Sequence, residues 1–309
     1  MFETKPVEPG TRFEEVPCDF CGSEDLEEWD HARSNRLSRC RKCGLVFTNP
    51  RIASAREKGR VLYSKQYFEQ PSRMIPRLKA ARKRVYRRER ETIRRYAGPG
   101  RILDVGCGVG TFLETFGEEW EKYGTDVSEF AVAEARTRGI EAVVGEFETI
   151  DFPQCFFDVI VFRASLHHAY SPSRCLRKAN LFLKPGGVVA LLMTNNLSGL
   201  GGRLFKAHVR SYEQGHNFLF SASILRRYLE KFGFECVDAS LPYFGTGYDS
   251  VGDWISLPFV YARYRLLAAA GRLNRPGTYD LASPALPGNY VNMLGRKRTE
   301  MRDEGGREG

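Results

Sequence analysis

The chain has 309 residues, 42% hydrophobic and 28% charged, with a formal net charge of +9. That length holds one large domain or a core plus a small module, and the balance is globular rather than disordered. No apolar run approaches the roughly 20 residues of a helical membrane span, and the first ten residues lack a secretory h-region, so neither a spanning helix nor a signal peptide is expected and a cytoplasmic setting is.

Residues 1–11 read as a polar tail, and a small module over 12–51 follows. It is defined by Cys18-Asp-Phe-Cys21-Gly22 and Cys40-Arg-Lys-Cys43-Gly44, with 18 residues between Cys21 and Cys40. Two C-x₂-C knuckles at this distance predict a tetrahedral zinc ribbon, because four thiolates close the coordination sphere and leave no position for a substrate. The metal is therefore structural, set away from any reaction. The other four cysteines, Cys107, Cys155, Cys175 and Cys236, are scattered and read as small packed residues.

Residues 52–100 read as a linker, with Tyr63, Tyr67 and Phe68, and then a basic helix. From Arg73 to Arg101 there are 12 Lys/Arg against two acids, while Leu78, Val85, Ile93 and Tyr96 fall near one helical face. Two readings stay open for this stretch: a solvated helix leading into the next domain, or a nucleic-acid patch.

Arg101-Ile-Leu-Asp-Val-Gly-Cys-Gly-Val-Gly110 combines a short apolar strand with a glycine loop, and a helix is expected from Thr111 to Gly117. Such a junction lets backbone N–H groups approach a cofactor. Asp104 would repel a pyrophosphate but suits a cofactor carrying an amine and a sulfonium, and Asp126 ends the next strand where a ribose-binding acid belongs.

In these residues the stretch resembles motif I of class I S-adenosylmethionine (SAM) methyltransferases. The likeness continues through Phe156-Phe-Asp158 and Leu183-Lys-Pro-Gly-Gly187, in order across residues 101–194. It implies an α/β Rossmann-like sheet of seven strands, ordered 3-2-1-4-5-7-6 with the seventh antiparallel, over a domain spanning 101–298. It assigns SAM to Asp104, Gly106, Cys107, Gly108, Gly110, Asp126 and Val127. Glu146 and Phe147 would meet the adenine, Phe147 by stacking, and Arg163, closing the fourth strand, is assigned to the cofactor with them.

His167 and His168 leave the carboxyl end of that strand, where open α/β sheets bind ligands. His216-Asn-Phe-Leu-Phe-Ser221 resembles a segment of zinc-ribbon methyltransferases of sugars and natural products, and His216 is the leading general base. Sugar C-methylating members carry a Glu-His pair there. This sequence has Gly215 in place of the glutamate, which turns the expectation toward oxygen methylation of a sugar, saccharide or specialised metabolite. Insertions are expected near 195–220 and 247–288. The aromatic stretch 254–270 within the second is a lid, a homo-oligomer contact or a membrane-surface helix. Residues 299–309 form a polar tail. RNA methylation through the ribbon and basic helix is the alternative function, and a non-catalytic SAM-binding scaffold a third.

Overall fold

The computed structural model describes residues 11–32, 35–53, 76–212, 215–246, 249–273 and 281–299. Most of the predicted 52–72 linker, with Tyr63, Tyr67 and Phe68, lies outside them, as do nearly all of the two tails.

The N-terminal module carries β1 (Phe13–Glu14), β2 (Leu26–Ala32), β3 (Asn35–Cys40), β4 (Val46–Thr48) and β5 (Arg51–Ile52). Helix α1 (Pro76–Arg94) then precedes β6 (Arg101–Val105). Next come β7 (Glu121–Asp126), α2 (Glu129–Arg136), β8 (Glu141–Val144), β9 (Phe157–Arg163), α3 (Pro172–Phe182) and β10 (Leu183–Asn195). Within the first insertion are α4 (Leu200–Phe205) and β11 (Phe218–Leu219). The chain continues with α5 (Ala222–Lys231), β12 (Phe234–Ser240), α6 (Val251–Ala269) and β13 (Tyr290–Lys297).

Three helices start where a serine tells them to. Ser128, Ser171 and Ser221 each accept a backbone N–H from the first turn that follows, which satisfies a donor the helix leaves unpaired. The expected helix over Thr111–Gly117 is shorter, a 3-10 turn at Leu113–Thr115. Phe112, Phe116 and Trp120 bury instead in an edge-to-face series, Phe112–Phe116 at 5.5 Å and Phe116–Trp120 at 5.2 Å. Aromatic burial at this spacing outweighs helix propensity.

The main sheet runs β8-β7-β6-β9-β10-β13-β12. Counted along the domain this is 3-2-1-4-5-7-6, with β13 antiparallel to both β10 and β12. Side-chain alternation divides its core in two. Leu103, Ile160, Phe162, Val189 and Leu191 face α3, α5 and the N-terminal module. Ile102, Val159, Val161, Ala190 and Leu192 face the side covered by α1 and α2. Asp104 shares the parity of Ile102, and Arg163 that of Val159 and Val161, so both belong to the α1 side.

The N-terminal module is joined to the large domain more closely than a tethered ribbon. Its strands continue into the insertion after β10, because β4 pairs with β11, Phe47 opposite Phe218 and Val46 opposite Leu219. Asp19 accepts from Ser171, from the Ser173 amide (2.9 Å) and from the Tyr228 hydroxyl (2.8 Å). Cys18, Phe20 and Phe47 belong to the same buried cluster as Phe162 and Tyr228. Of the scattered cysteines, Cys175 and Cys107 are buried as expected, Cys236 is half-buried, and Cys155 is exposed in a turn with φ +50°.

Candidate active site

Gly106, Gly108 and Gly110 all hold positive φ (+77°, +54° and +83°), which side chains resist, and a Cβ on Gly106 would come within 2.8 Å of Ser165. The loop is pinned by Gly106 and Cys107, whose amides both donate to the Thr125 carbonyl at 2.7 and 3.0 Å. Asp126, at the end of β7, accepts from the amides of Gly108 and Ser128, both at 2.9 Å. Burial raises its carboxyl above the ordinary range, against the pull of those amides. Val127 beside it is 36% exposed.

Beneath the loop is a buried charge cluster that the sequence does not announce. Glu89 of the basic helix α1 accepts from Arg163 Nε at 2.7 Å, and the Arg163 guanidinium lies over Tyr86, 4.2 Å from the ring centre. Asp104 is next to it, 2% exposed, with Oδ1 unpartnered among the described residues, as is Glu89 Oε1. Burial raises the Asp104 carboxyl to about 7 although Arg163 opposes it, while Asp126 and Glu89 add to the rise. Glu89 is raised as well, by burial first, against Arg163. One signal could have found Glu89: it stands four residues after Val85 and four before Ile93, a lone carboxylate on the helix's apolar stripe.

Phe147, expected as an adenine platform, has its ring in the core rather than on an open face. It is buried, edge-on to Phe162 at 5.6 Å and Phe182 at 6.0 Å, because the core between β9 and α3 claims it. Glu146 stays half-buried in the turn after β8.

At the carboxyl end of β9 the chain turns through Ala164 (φ +53°) into a 3-10 turn, Leu166–His168. This brings His167 and His168 against His216 from the insertion, with ring centres 4.2 to 4.5 Å apart. Their second hydrogen bonds assign the tautomers. His168 Nδ1 lies 2.9 Å from the Gly215 carbonyl, which only accepts, so Nδ1 carries a proton. Asn195 is fixed the other way: its Oδ1 accepts from the Phe220 amide and its Nδ2 donates to the Phe218 carbonyl. The same Nδ2 faces His216 Nδ1 at 3.2 Å, so that nitrogen accepts and His216 Nε2 bears the proton. The N-terminal module braces this loop directly, since Thr48 donates its hydroxyl to the His216 carbonyl (2.9 Å) and its amide to that of Asn217 (2.8 Å).

Two groups among the described residues could hold a metal ion, these three histidines and Cys18, Cys21, Cys40 and Cys43. The four sulfurs lie within 4.8 Å of one another, with Cys18–Cys43 at 3.4 Å and Cys21–Cys40 at 3.5 Å. Zinc–sulfur bonds of about 2.3 Å in a tetrahedron separate sulfurs by about 3.8 Å, so the cysteines fit a zinc ribbon.

A 3-2-1-4-5-7-6 sheet with a glycine loop after its first strand and an acid ending its second is that of a class I methyltransferase. A family model described as a methyltransferase domain matches residues 72–239, and the chain belongs to this family of SAM-dependent enzymes. It is 32% identical over 123 residues to trans-aconitate 2-methyltransferase of Mycolicibacterium gilvum, covering 38% of this chain and 47% of that one. To 27-O-demethylrifamycin SV methyltransferase of Amycolatopsis mediterranei it is 34% identical over 101 residues, 29% of this chain and 37% of the other. The match thus spans less than half of either relative. The fold is shared with a SAM-dependent methyltransferase of Thermotoga maritima, at 20% identity and a TM-score of 0.50, over 75% of this chain and 98% of that one. The match to the family model lies C-terminal to the four-cysteine module, and among the described residues no helix is long and apolar enough to cross a membrane.

Proposed function

We propose that the protein transfers a methyl group from SAM to a hydroxyl of a small-molecule acceptor, a sugar, saccharide or specialised metabolite. The observation that carries this reading is the meeting of three imidazoles at the carboxyl end of β9, two of them oriented by opposite hydrogen bonds at Nδ1. The name of the rifamycin relative, which specifies a 27-O-demethyl acceptor, agrees with an oxygen nucleophile.

When bound, SAM supplies a methyl group already activated by its sulfonium. Asp104 and Glu89 each leave a buried carboxylate oxygen unmatched, a pairing suited to the cofactor's ammonium. The Gly106–Gly110 backbone allows the close approach, and Asp126 accepts from the ribose hydroxyls. Cys107 and Val127 flank these groups, and Glu146 is the remaining candidate for the adenine amine. His216 Nε2–H donates to the acceptor oxygen, and His168 Nε2 takes the proton as that oxygen attacks. The role of general base passes from His216 to His168, because Asn195 occupies the lone pair of His216. His167 packs behind both rings.

The test is transfer from tritiated SAM into fractionated extract, with Asp126→Ala as control. Label in hydroxylated small molecules is expected. Label confined to RNA would transfer the function to the exposed basic face of α1, and SAM binding with no label in any fraction or candidate sugar would make the protein a scaffold.

Two further outcomes follow from the site. Asp104 titrates at about 7, so its carboxylate must lose a proton before it pairs with an ammonium. SAM affinity is then about tenfold weaker at pH 6 than at pH 8, with proton release visible by calorimetry in buffers of different ionisation enthalpy. The sign for stability is opposite. A raised carboxyl is protonated more readily folded than unfolded, so the cofactor-free protein loses stability as pH rises from about 4 through 7.

Zinc in the four-cysteine site would be structural. Metal analysis should give one zinc per chain, and Cys40→Ser should lower transfer much more than SAM binding, since β4 braces the histidine loop and leaves the glycine loop alone. Equal loss of both would refute that division.

A further inference from the structure

Helix α6 has two apolar faces, and among the described residues only one is packed. Leu257, Val260, Tyr261, Tyr264 and Leu267 pack with Phe205, Leu281 and Leu286. On the other side Val251, Ile255, Phe259 and Leu266 are 77, 67, 77 and 73% exposed. At about 100° per residue those four positions fall within roughly 80° of arc, a single stripe rather than scattered residues. The preceding segment adds Phe244, 77% exposed, and Leu241, 56%.

Charge decides what covers this face. Arg263 and Arg265 are exposed on either flank of the stripe. The helix has one acid, Asp253, and Arg210 already pairs with it at 3.3 Å. Arg88 Nη1 donates to the Phe244 carbonyl at 2.7 Å, so the exposed Phe244 lies beside α1, on which Lys83, Arg84 and Arg87 are also exposed. Two copies docked through this face would bring like charges together in a chain of net charge +9. A phospholipid surface matches both properties, apolar depth for the stripe and phosphate for the arginines.

We propose that α6, with the Leu241–Phe244 segment, seats the protein on an anionic bilayer surface, the helix lying in the interface without spanning it. The placement stands on these exposures and charges alone and is independent of the acceptor's identity. Arginine near the interface favours anionic headgroups, and the apolar stripe provides the depth of insertion.

Cosedimentation of the full chain with vesicles tests it. Phosphatidylglycerol–phosphatidylcholine vesicles should bind at least tenfold more protein than phosphatidylcholine alone, with the difference shrinking at high salt. Ile255→Ser/Phe259→Ser should reduce binding tenfold or more with SAM affinity unchanged, which shows the variant is folded. Arg263→Glu/Arg265→Glu should abolish the preference for anionic vesicles. No partition into either vesicle would overturn the proposal, as would equal partition into both. So would a wild-type dimer in light scattering that the Ile255→Ser/Phe259→Ser variant converts to monomer, because the face would then be a contact between copies.

Discussion

His168→Asn should lower kcat by about 10²- to 10⁴-fold with SAM affinity unchanged, the range for removing a positioned general base. Asparagine is chosen because its amide can still donate to the Gly215 carbonyl, as His168 Nδ1 does. The loop keeps its anchor and loses only the lone pair. Imidazole added at high concentration should restore part of the rate, a response that a merely structural role would not give. The matched His216→Asn variant separates two mechanisms. If His216 donates to the acceptor, its loss raises KM along with lowering kcat; if it were the base, its loss would lower kcat by about 10²- to 10⁴-fold. Such a collapse at His216, with His168→Asn nearly silent, would return the base to His216.

Glu89→Ala should be among the most destabilising single substitutions in the large domain, at about 3–5 kcal/mol, because it leaves Arg163 buried without its ion-pair partner. Glu89 is 3% exposed and the Arg163 side chain 17%, so water cannot take over the lost contact cheaply. Glu89→Gln keeps a hydrogen-bond acceptor for the guanidinium and should cost less in stability. It still removes a charge from beneath the glycine loop, and should weaken SAM binding while the fold survives. Thermal unfolding and calorimetric SAM titration of the two variants distinguish these effects. An unchanged melting temperature for Glu89→Ala would mean that Arg163 finds another partner and that the pair is dispensable.

The sheet was legible in the sequence because its central strands are buried on both faces. β9 and β10 read as near-continuous apolar runs bounded by Phe156-Phe-Asp158 and Lys-Pro-Gly-Gly187, and their order followed from the family resemblance. The glycine loop and its two acids were legible for the same reason, since they are local in sequence. What escaped depended on distant partners. Phe147 reads as a cofactor platform in sequence, whereas Phe162 and Phe182 draw its ring into the core. Glu89 belonged to a helix whose basic character concealed its role, and the carboxylate's partner is 74 residues away. The tautomers of His168 and His216 rest on Gly215 and Asn195, a carbonyl and an amide that carry no pattern. The ribbon reads as a separate module because its cysteines are closely spaced, whereas its fourth strand pairs with residues of the distant insertion.

That last pairing also orders the chain in time. Thr48 reaches its partner in the histidine loop only across 168 residues of intervening sequence. On a ribosome the knuckles emerge early, and β4 waits with an open edge until Phe218 and Leu219 have left the exit tunnel. Contacts of such long range close slowly, after the local strands and helices between them. The polar contacts of the glycine loop are local by comparison, Gly108 to Asp126 across 18 positions. A nascent chain ending before residue 218 would lack the partner of β4 and also Leu225 and Leu294 of the two sheet cores, so its glycine loop would rest on a half-built sheet.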